Sequence, residues 1–158
     1  MRRVVVLGRG GAGKSVFARR LAVIIDAPVV ELDALFWRGP DLQPLSVPEW
    51  RRIQEAIARQ PRWVADGDLG PYDVLSVRLH AADTVVLLDY SLVRCLWRAL
   101  RRSRERIDFW CWVLTYRRRW KPRILAEVHR YAPRAALHVL RRPRDADRLL
   151  KLARGTAP

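Results

Sequence analysis

The stretch Gly8-Arg9-Gly10-Gly11-Ala12-Gly13-Lys14-Ser15 follows the apolar run Val4-Val5-Val6-Leu7 and fills the pattern G-x-x-x-x-G-K-[ST] without a mismatch. Each residue type has a use in holding a polyphosphate. Glycines let the backbone wrap closely around the anion, so several N–H groups point inward. A helix starting near Gly13 adds its positive end. Lys14 can reach the β- and γ-phosphates, and the Ser15 hydroxyl is placed to ligate Mg2+. Gly8, Gly10, Gly11, Ala12, Gly13, Lys14, Ser15 and Val16 are therefore the expected phosphate cradle. Gly8, Gly10 and Gly13 also spell the dinucleotide fingerprint G-x-G-x-x-G, with Glu31 or Asp33 about twenty residues on. The Lys14-Ser15 pair is foreign to that fingerprint, and little chain remains for a separate substrate domain.

Phosphoryl transfer needs the phosphates held, a cation bridging them, Arg to neutralise charge and an acceptor oriented in line. Three carboxylates close short apolar runs and could serve such a reaction. They are Asp33 after Pro28–Leu32, Asp66 with Gly67 after Trp63–Ala65, and Asp89 after Val85–Leu88. Asp89 fits the second acidic motif, which holds Mg2+ directly or through water. Asp33 is placed to accept a proton from an acceptor hydroxyl, or to orient it. Asp66 and the Gly67 backbone could line the acceptor pocket, with Asp68 and Asp73 as weaker candidates.

These residues need a frame, and the hydrophobic pattern supplies one. Val4–Leu7 reads as a first strand and Lys14–Ile25 as a helix with Phe17, Leu21, Ile24 and Ile25 on one face. Pro28–Leu32 reads as a second strand, and Asp33–Val47 as irregular. Ser46-Val47-Pro48-Glu49 is a capping box opening a helix to about Arg59, with Trp50, Ile53 and Ile57 inward. Trp63–Ala65, Asp83–Asp89 and Ala136–Leu140 are the third to fifth strands; helices are expected over Ser91–Arg106, Pro122–Tyr131 and Pro143–Leu152. Strands apolar on both faces and alternating with helices predict a parallel sheet covered on both sides. Ligands of such sheets bind beyond the carboxyl ends of the strands, where the loop and the three carboxylates fall.

At 158 residues, half of them hydrophobic, a single domain with a sizeable core is expected. No apolar stretch approaches the roughly 20 residues of a membrane span. The N-terminal run is cut short by Gly8 and Arg9, unlike an ordinary secretory signal, so a cytoplasmic protein is expected. Cys95 and Cys111 lack metal or redox spacing and read as reduced, mostly buried thiols. Thirty-one Lys and Arg against sixteen acids leave a net charge of +15, which suits nucleic acid, an anionic surface or a polyphosphate substrate. Arg dominance also follows from a GC-rich genome, so charge alone does not establish nucleic-acid binding.

Arg94, Arg98, Arg101 and Arg102 share one helical stripe, with Leu92, Leu96 and Leu100 on another. Beyond them, Asp108–Trp112 and Tyr116–Arg123 interleave bases with aromatics. Such a segment can close over phosphates as a lid, stack nucleic-acid bases, or form a hairpin with Trp in the core. Arg142, in the loop after the fifth strand, is placed for stacking on a nucleotide base.

Taken together, Gly8–Ser15, Glu31-Leu32-Asp33 with Leu35-Phe36-Trp37, Trp63–Gly67, Ala82–Asp89, Cys95-Leu96-Trp97-Arg98 and Tyr116–Leu125 resemble a known group. The chain is similar to the adenylate-kinase-related proteins often labelled DNA topology modulation proteins, small P-loop proteins akin to shikimate and gluconate kinases. The resemblance spans nearly the whole chain. It implies an α/β P-loop fold with a five-stranded parallel sheet of order 2-3-1-4-5, ATP and Mg2+ binding, and kinase activity. It would make Lys14 and Ser15 the phosphate and metal residues. Arg117, Arg118, Arg119 and Arg123 would be lid candidates within residues 107–123. The alternative is a basic P-loop ATPase or nucleotide switch that binds nucleic acid. The acceptor and the oligomeric state are not encoded in any motif.

Overall fold

The computed structural model describes residues 1–100 and 114–155. Cys111, Arg101, Arg102, the expected helix end near Arg106 and residues 107–113 of the lid segment lie outside the described residues. Five parallel strands form the central sheet: β1 (Arg3–Gly8), β2 (Val29–Glu31), β3 (Trp63–Asp66), β4 (Thr84–Leu88) and β5 (Ala136–Leu140). Their spatial order is β2-β3-β1-β4-β5, the expected 2-3-1-4-5. In the dinucleotide fold the second strand lies beside the first. Here β1 pairs with β3 and β4 instead, which excludes that alternative.

Alternation along β1 explains the two layers that cover the sheet, because successive side chains point to opposite faces. Val4 and Val6, with Val64 and Val86, pack against α1 (Lys14–Ile25) and α7 (Pro143–Gly155) through Phe17, Leu21, Leu149 and Leu150. Val5 and Leu7, with Ala65, Val85 and Leu87, pack against the opposite layer. That layer holds α2 (Leu32–Phe36), α3 (Val47–Ala58), α4 (Leu75–Ala81) and α6 (Lys121–Tyr131), through Phe36, Trp50, Leu79 and Val128. The remaining long element, α5 (Leu92–Leu100), follows β4.

Most expected elements are present, and the departures are local. The second strand is shorter, because Leu32 already begins α2. The region expected to be irregular contains that helix and a two-stranded hairpin pairing Trp37–Arg38 with Gln43–Pro44. The capping box forms as read: Glu49 accepts hydrogen bonds from the Ser46 N–H at 3.2 Å and its hydroxyl at 2.6 Å. Trp50 is fully buried, while Ile53 and Ile57 are only partly so. The short helix α4 is new. Tyr116–Trp120 winds as a π-helical turn directly into α6.

Candidate functional site

Gly8–Ser15 joins β1 to α1 as expected, and its glycines carry the conformations the turn needs. Gly11 and Gly13 have φ of 76° and 91°, in the left-handed region. A Cβ on Gly11 would lie 2.3 Å from the Cys95 carbonyl oxygen, so the loop is seated directly on α5. The first turn of α1 contains no acidic residue, which leaves its positive end open to an external anion. Lys14 Nζ donates to the carbonyl oxygens of Gly8 (2.8 Å) and Arg9 (3.4 Å), at the start of the loop.

Arg98 reaches the other side of this cradle. Its guanidinium lies 3.3 Å from where a Gly13 Cβ would stand. Arg98, Gly13, Val16, Tyr90 and Pro143 line a pocket of about 180 Å³. Its lining mixes the charged Arg20, Arg98 and Asp147 with the apolar Val16, Phe17, Leu88 and Ala146, a composition that suits a ligand with polar and apolar parts. Arg142 stands beside Pro143 at the start of α7, with an exposed side chain. Its N–H donates to Asp145 Oδ2 at 2.8 Å.

The three carboxylates fall along one edge of the sheet. Asp66 ends β3 and is 6% exposed, and its Oδ1 has no hydrogen-bond partner among the described residues. Gly67, with φ of 141°, donates its N–H to the Val6 carbonyl at 3.3 Å, tying this edge to β1. Asp33 sits in the first turn of α2. Solvent reaches Asp33, yet the surrounding protein desolvates its carboxyl enough to raise its pKa. The Lys14 charge and a Trp37 hydrogen bond oppose that rise, while the Asp66 and Asp73 charges add to it. A carboxylate with a raised pKa, within electrostatic reach of Lys14, has the chemistry of a proton acceptor.

Asp89 follows β4 and is 5% exposed. Lys121 Nζ contacts its Oδ2 at 2.5 Å, and Arg117 Nε lies 3.8 Å from Oδ1. Two oxygen donors, the Asp89 carboxylate and the Ser15 hydroxyl, match the preference of Mg2+ for few protein ligands plus phosphate oxygens. A cation there would exchange with Lys121 or reach Asp89 through water. Arg117, Arg118 and Arg119 are all exposed, and of the three Arg117 is the one with an ion pair to Asp89 among the described residues. Arg123 stacks on Trp120, 5.5 Å from the ring centroid.

Of the carboxylates named as weaker candidates, Asp68 and Asp73 take different roles, and the buried Arg78 was not singled out from the sequence. Asp68 is half-buried, and desolvation raises its carboxyl pKa against the Lys14 charge and the Gly70 N–H. Tyr116 donates its hydroxyl to Asp68 Oδ2 at 3.4 Å. Behind them, Arg78 is fully buried and makes two 2.8 Å bonds to Asp73 and a third to Gln54. Burial alone would raise the Asp73 pKa. The Arg78 charge and these hydrogen bonds outweigh it and hold the carboxyl below the usual range. Asp73 is therefore a structural partner of Arg78. Its place in the sequence, five residues ahead of an Arg in a leucine-rich stretch, was the available signal.

No protein-family model matches the chain. A shikimate kinase of Rhodococcus erythropolis is 33% identical over 107 residues, a match spanning 61% of this chain and 63% of that enzyme. Among solved structures, an unliganded sugar kinase of Janibacter sp. aligns with a TM-score of 0.59 at 20% identity, covering 100% of this chain and 99% of its own. A gluconokinase of Sinorhizobium meliloti aligns at 0.56 and 22%, covering 98% and 94%. A shikimate kinase of Bacteroides thetaiotaomicron aligns at 0.57 and 14%, covering 96% and 97%. The chain therefore has the three-layer α/β fold found in these small P-loop kinases.

Proposed function

We propose that this chain is an ATP- and Mg2+-dependent phosphotransferase acting on a hydroxyl of a small molecule or nucleotide. One observation carries the reading. An acid-free helix start and a complete phosphate loop with Lys14 stand within electrostatic reach of Asp33, a carboxylate whose pKa is raised. The kinase names of the relatives support the same chemistry, and shikimate, gluconate and sugars all offer an alcohol acceptor.

In this reading the loop N–H groups and Lys14 hold the β- and γ-phosphates, and Arg98 lies along the pocket for the base and sugar. Asp33 takes the proton of the acceptor hydroxyl as its oxygen bonds to the γ-phosphorus. The bond from that phosphorus to the β–γ bridging oxygen breaks, and ADP leaves. Ser15 and Asp89 would hold Mg2+, which supplies charge neutralisation on the bridging and terminal oxygens. Arg117 supplies positive charge beside Asp89. Asp66 and Gly67 border the acceptor.

A second reading has its own support. Arg117, Arg118 and Arg119 are exposed on a chain of net charge +15, as a nucleic-acid-binding ATPase or topology modulation-like protein would present. A single assay separates the two. ATP consumption with Mg2+ is measured across nucleosides, nucleoside monophosphates, sugar acids and shikimate-like alcohols, with short DNA and RNA included and Lys14→Ala as the blank. Turnover stimulated by one small molecule is expected. Stimulation by nucleic acid alone supports the second reading instead.

A further inference from the structure

Arg9 occupies an unrestricted position of the loop pattern, one residue after Gly8, yet it is among the most enclosed charges in the chain. It is 3% exposed. Its Nε and Nη1 have no hydrogen-bond partner among the described residues. Its guanidinium carbon lies 5.6 Å from the centroid of the Tyr116 ring, a residue itself 1% exposed and tied to Asp68. A guanidinium does not shed its proton at any working pH, so burial cannot be relieved by neutralisation. The ring contact engages the charge but leaves in-plane N–H donors unspent. Leaving such donors buried without an acceptor is costly, and a well-packed apolar side chain of similar volume avoids the cost. A buried, unspent guanidinium inside a phosphate loop lacks one component: an anion.

We infer that Arg9 is a ligand-binding residue whose unpaired N–H donors receive the terminal phosphoryl group of the bound nucleoside triphosphate. Two sources of anionic oxygen compete for it, the nucleotide and the acceptor. The backbone decides between them. Lys14, the residue that reaches the β- and γ-phosphates, has its Nζ on the carbonyl oxygens of Gly8 and Arg9 in this structure. Arg9 therefore belongs to the end of the loop where the terminal phosphates meet Lys14. Tyr116 packs on the guanidinium and opens the turn that carries Arg117 and leads into Lys121 at the start of α6, two bases at Asp89. The inference rests on the phosphotransferase reading and adds to it a device that tells a triphosphate from a diphosphate.

The test compares the Kd of Mg·ADP with that of a Mg·ATP analogue bearing a β–γ imido bridge, by calorimetry, in the wild type and in Arg9→Met. Thermal midpoints of both nucleotide-free proteins are recorded alongside. The wild type is expected to prefer the triphosphate. Arg9→Met is expected to lose at least about tenfold of that preference, the scale of one charged hydrogen bond, while ADP affinity holds. Its midpoint without nucleotide is expected to stay level or rise, because an unpaired buried charge has gone. Should Arg9→Met fail to fold, Arg9→Lys keeps the charge, loses the fork and carries the same comparison. A preference unchanged in the variant, or an equal loss for both nucleotides, overturns the inference. So does a loss seen only in acceptor KM. In those cases phosphate transfer by the wild type still upholds the phosphotransferase reading. A wild type that binds neither nucleotide overturns both.

Discussion

At the level of single residues, Asp33 gives the clearest pH signature. In the proposed role of proton acceptor it works only when ionised, and desolvation raises its pKa. Activity is therefore expected to fall on acidification at a higher pH than an ordinary aspartate would dictate. The acid limb of a kcat/KM profile reports this, since that ratio follows the free enzyme. Asp33→Asn is expected to remove the limb together with most of the turnover. An Asn variant that keeps full turnover removes Asp33 from the chemistry. Stability moves the other way. The folded state holds this proton more tightly than the unfolded chain, so stability falls as pH rises from the unfolded value through the raised one. The position of Lys14 and Ser15 at the start of α1 was legible because the loop pattern fixes residue type at fixed spacing, and that of Asp89 because it closes the apolar run Val85–Leu88. Arg9 was not, because its position accepts any residue and only Tyr116, over a hundred residues away, makes it distinctive.

Among elements, the contact between the phosphate loop and α5 is the most sensitive joint. Gly11 has a positive φ, and a Cβ there would meet backbone rather than a flexible side chain. Gly11→Ala is therefore expected to displace the loop from α5, lowering the thermal midpoint and weakening triphosphate binding at least about tenfold, since donors that fit the phosphates are lost together. Calorimetry beside a melting curve checks it; an unchanged Kd means that the loop tolerates the shift. The capping box of α3 and the β1–loop–α1 unit were readable because their signals are local. Helix α4 was not. It has only seven residues, and Arg78 breaks its apolar face in the sequence although it is fully buried in the fold. What makes that burial tolerable is Asp73 with Gln54, the latter 24 residues away. No periodicity within α4 carries that information.

For the whole molecule, the net charge of +15 acts as self-repulsion in the compact state. Raising ionic strength from about 0.01 to about 1 M shortens the screening length from about 30 to about 3 Å. The urea midpoint at neutral pH is therefore expected to climb over that range, and a flat or falling midpoint shows the charges to be already compensated. Fold class was legible from strands apolar on both faces. Strand order is different in kind, because each pairing of β1 joins residues far apart in sequence, and it came from the resemblance rather than from the pattern. That central position of β1 has a consequence for the nascent chain. β1 leaves the ribosome before the other four strands of its sheet, but it gains its first neighbour only when Trp63–Asp66 has emerged and its second only with Thr84–Leu88. The residue paired with Leu88 is Gly8, where the phosphate loop begins. The seat of the phosphate loop is therefore incomplete until Leu88 has emerged, and only from that point can nucleotide add to the stability of the growing polypeptide.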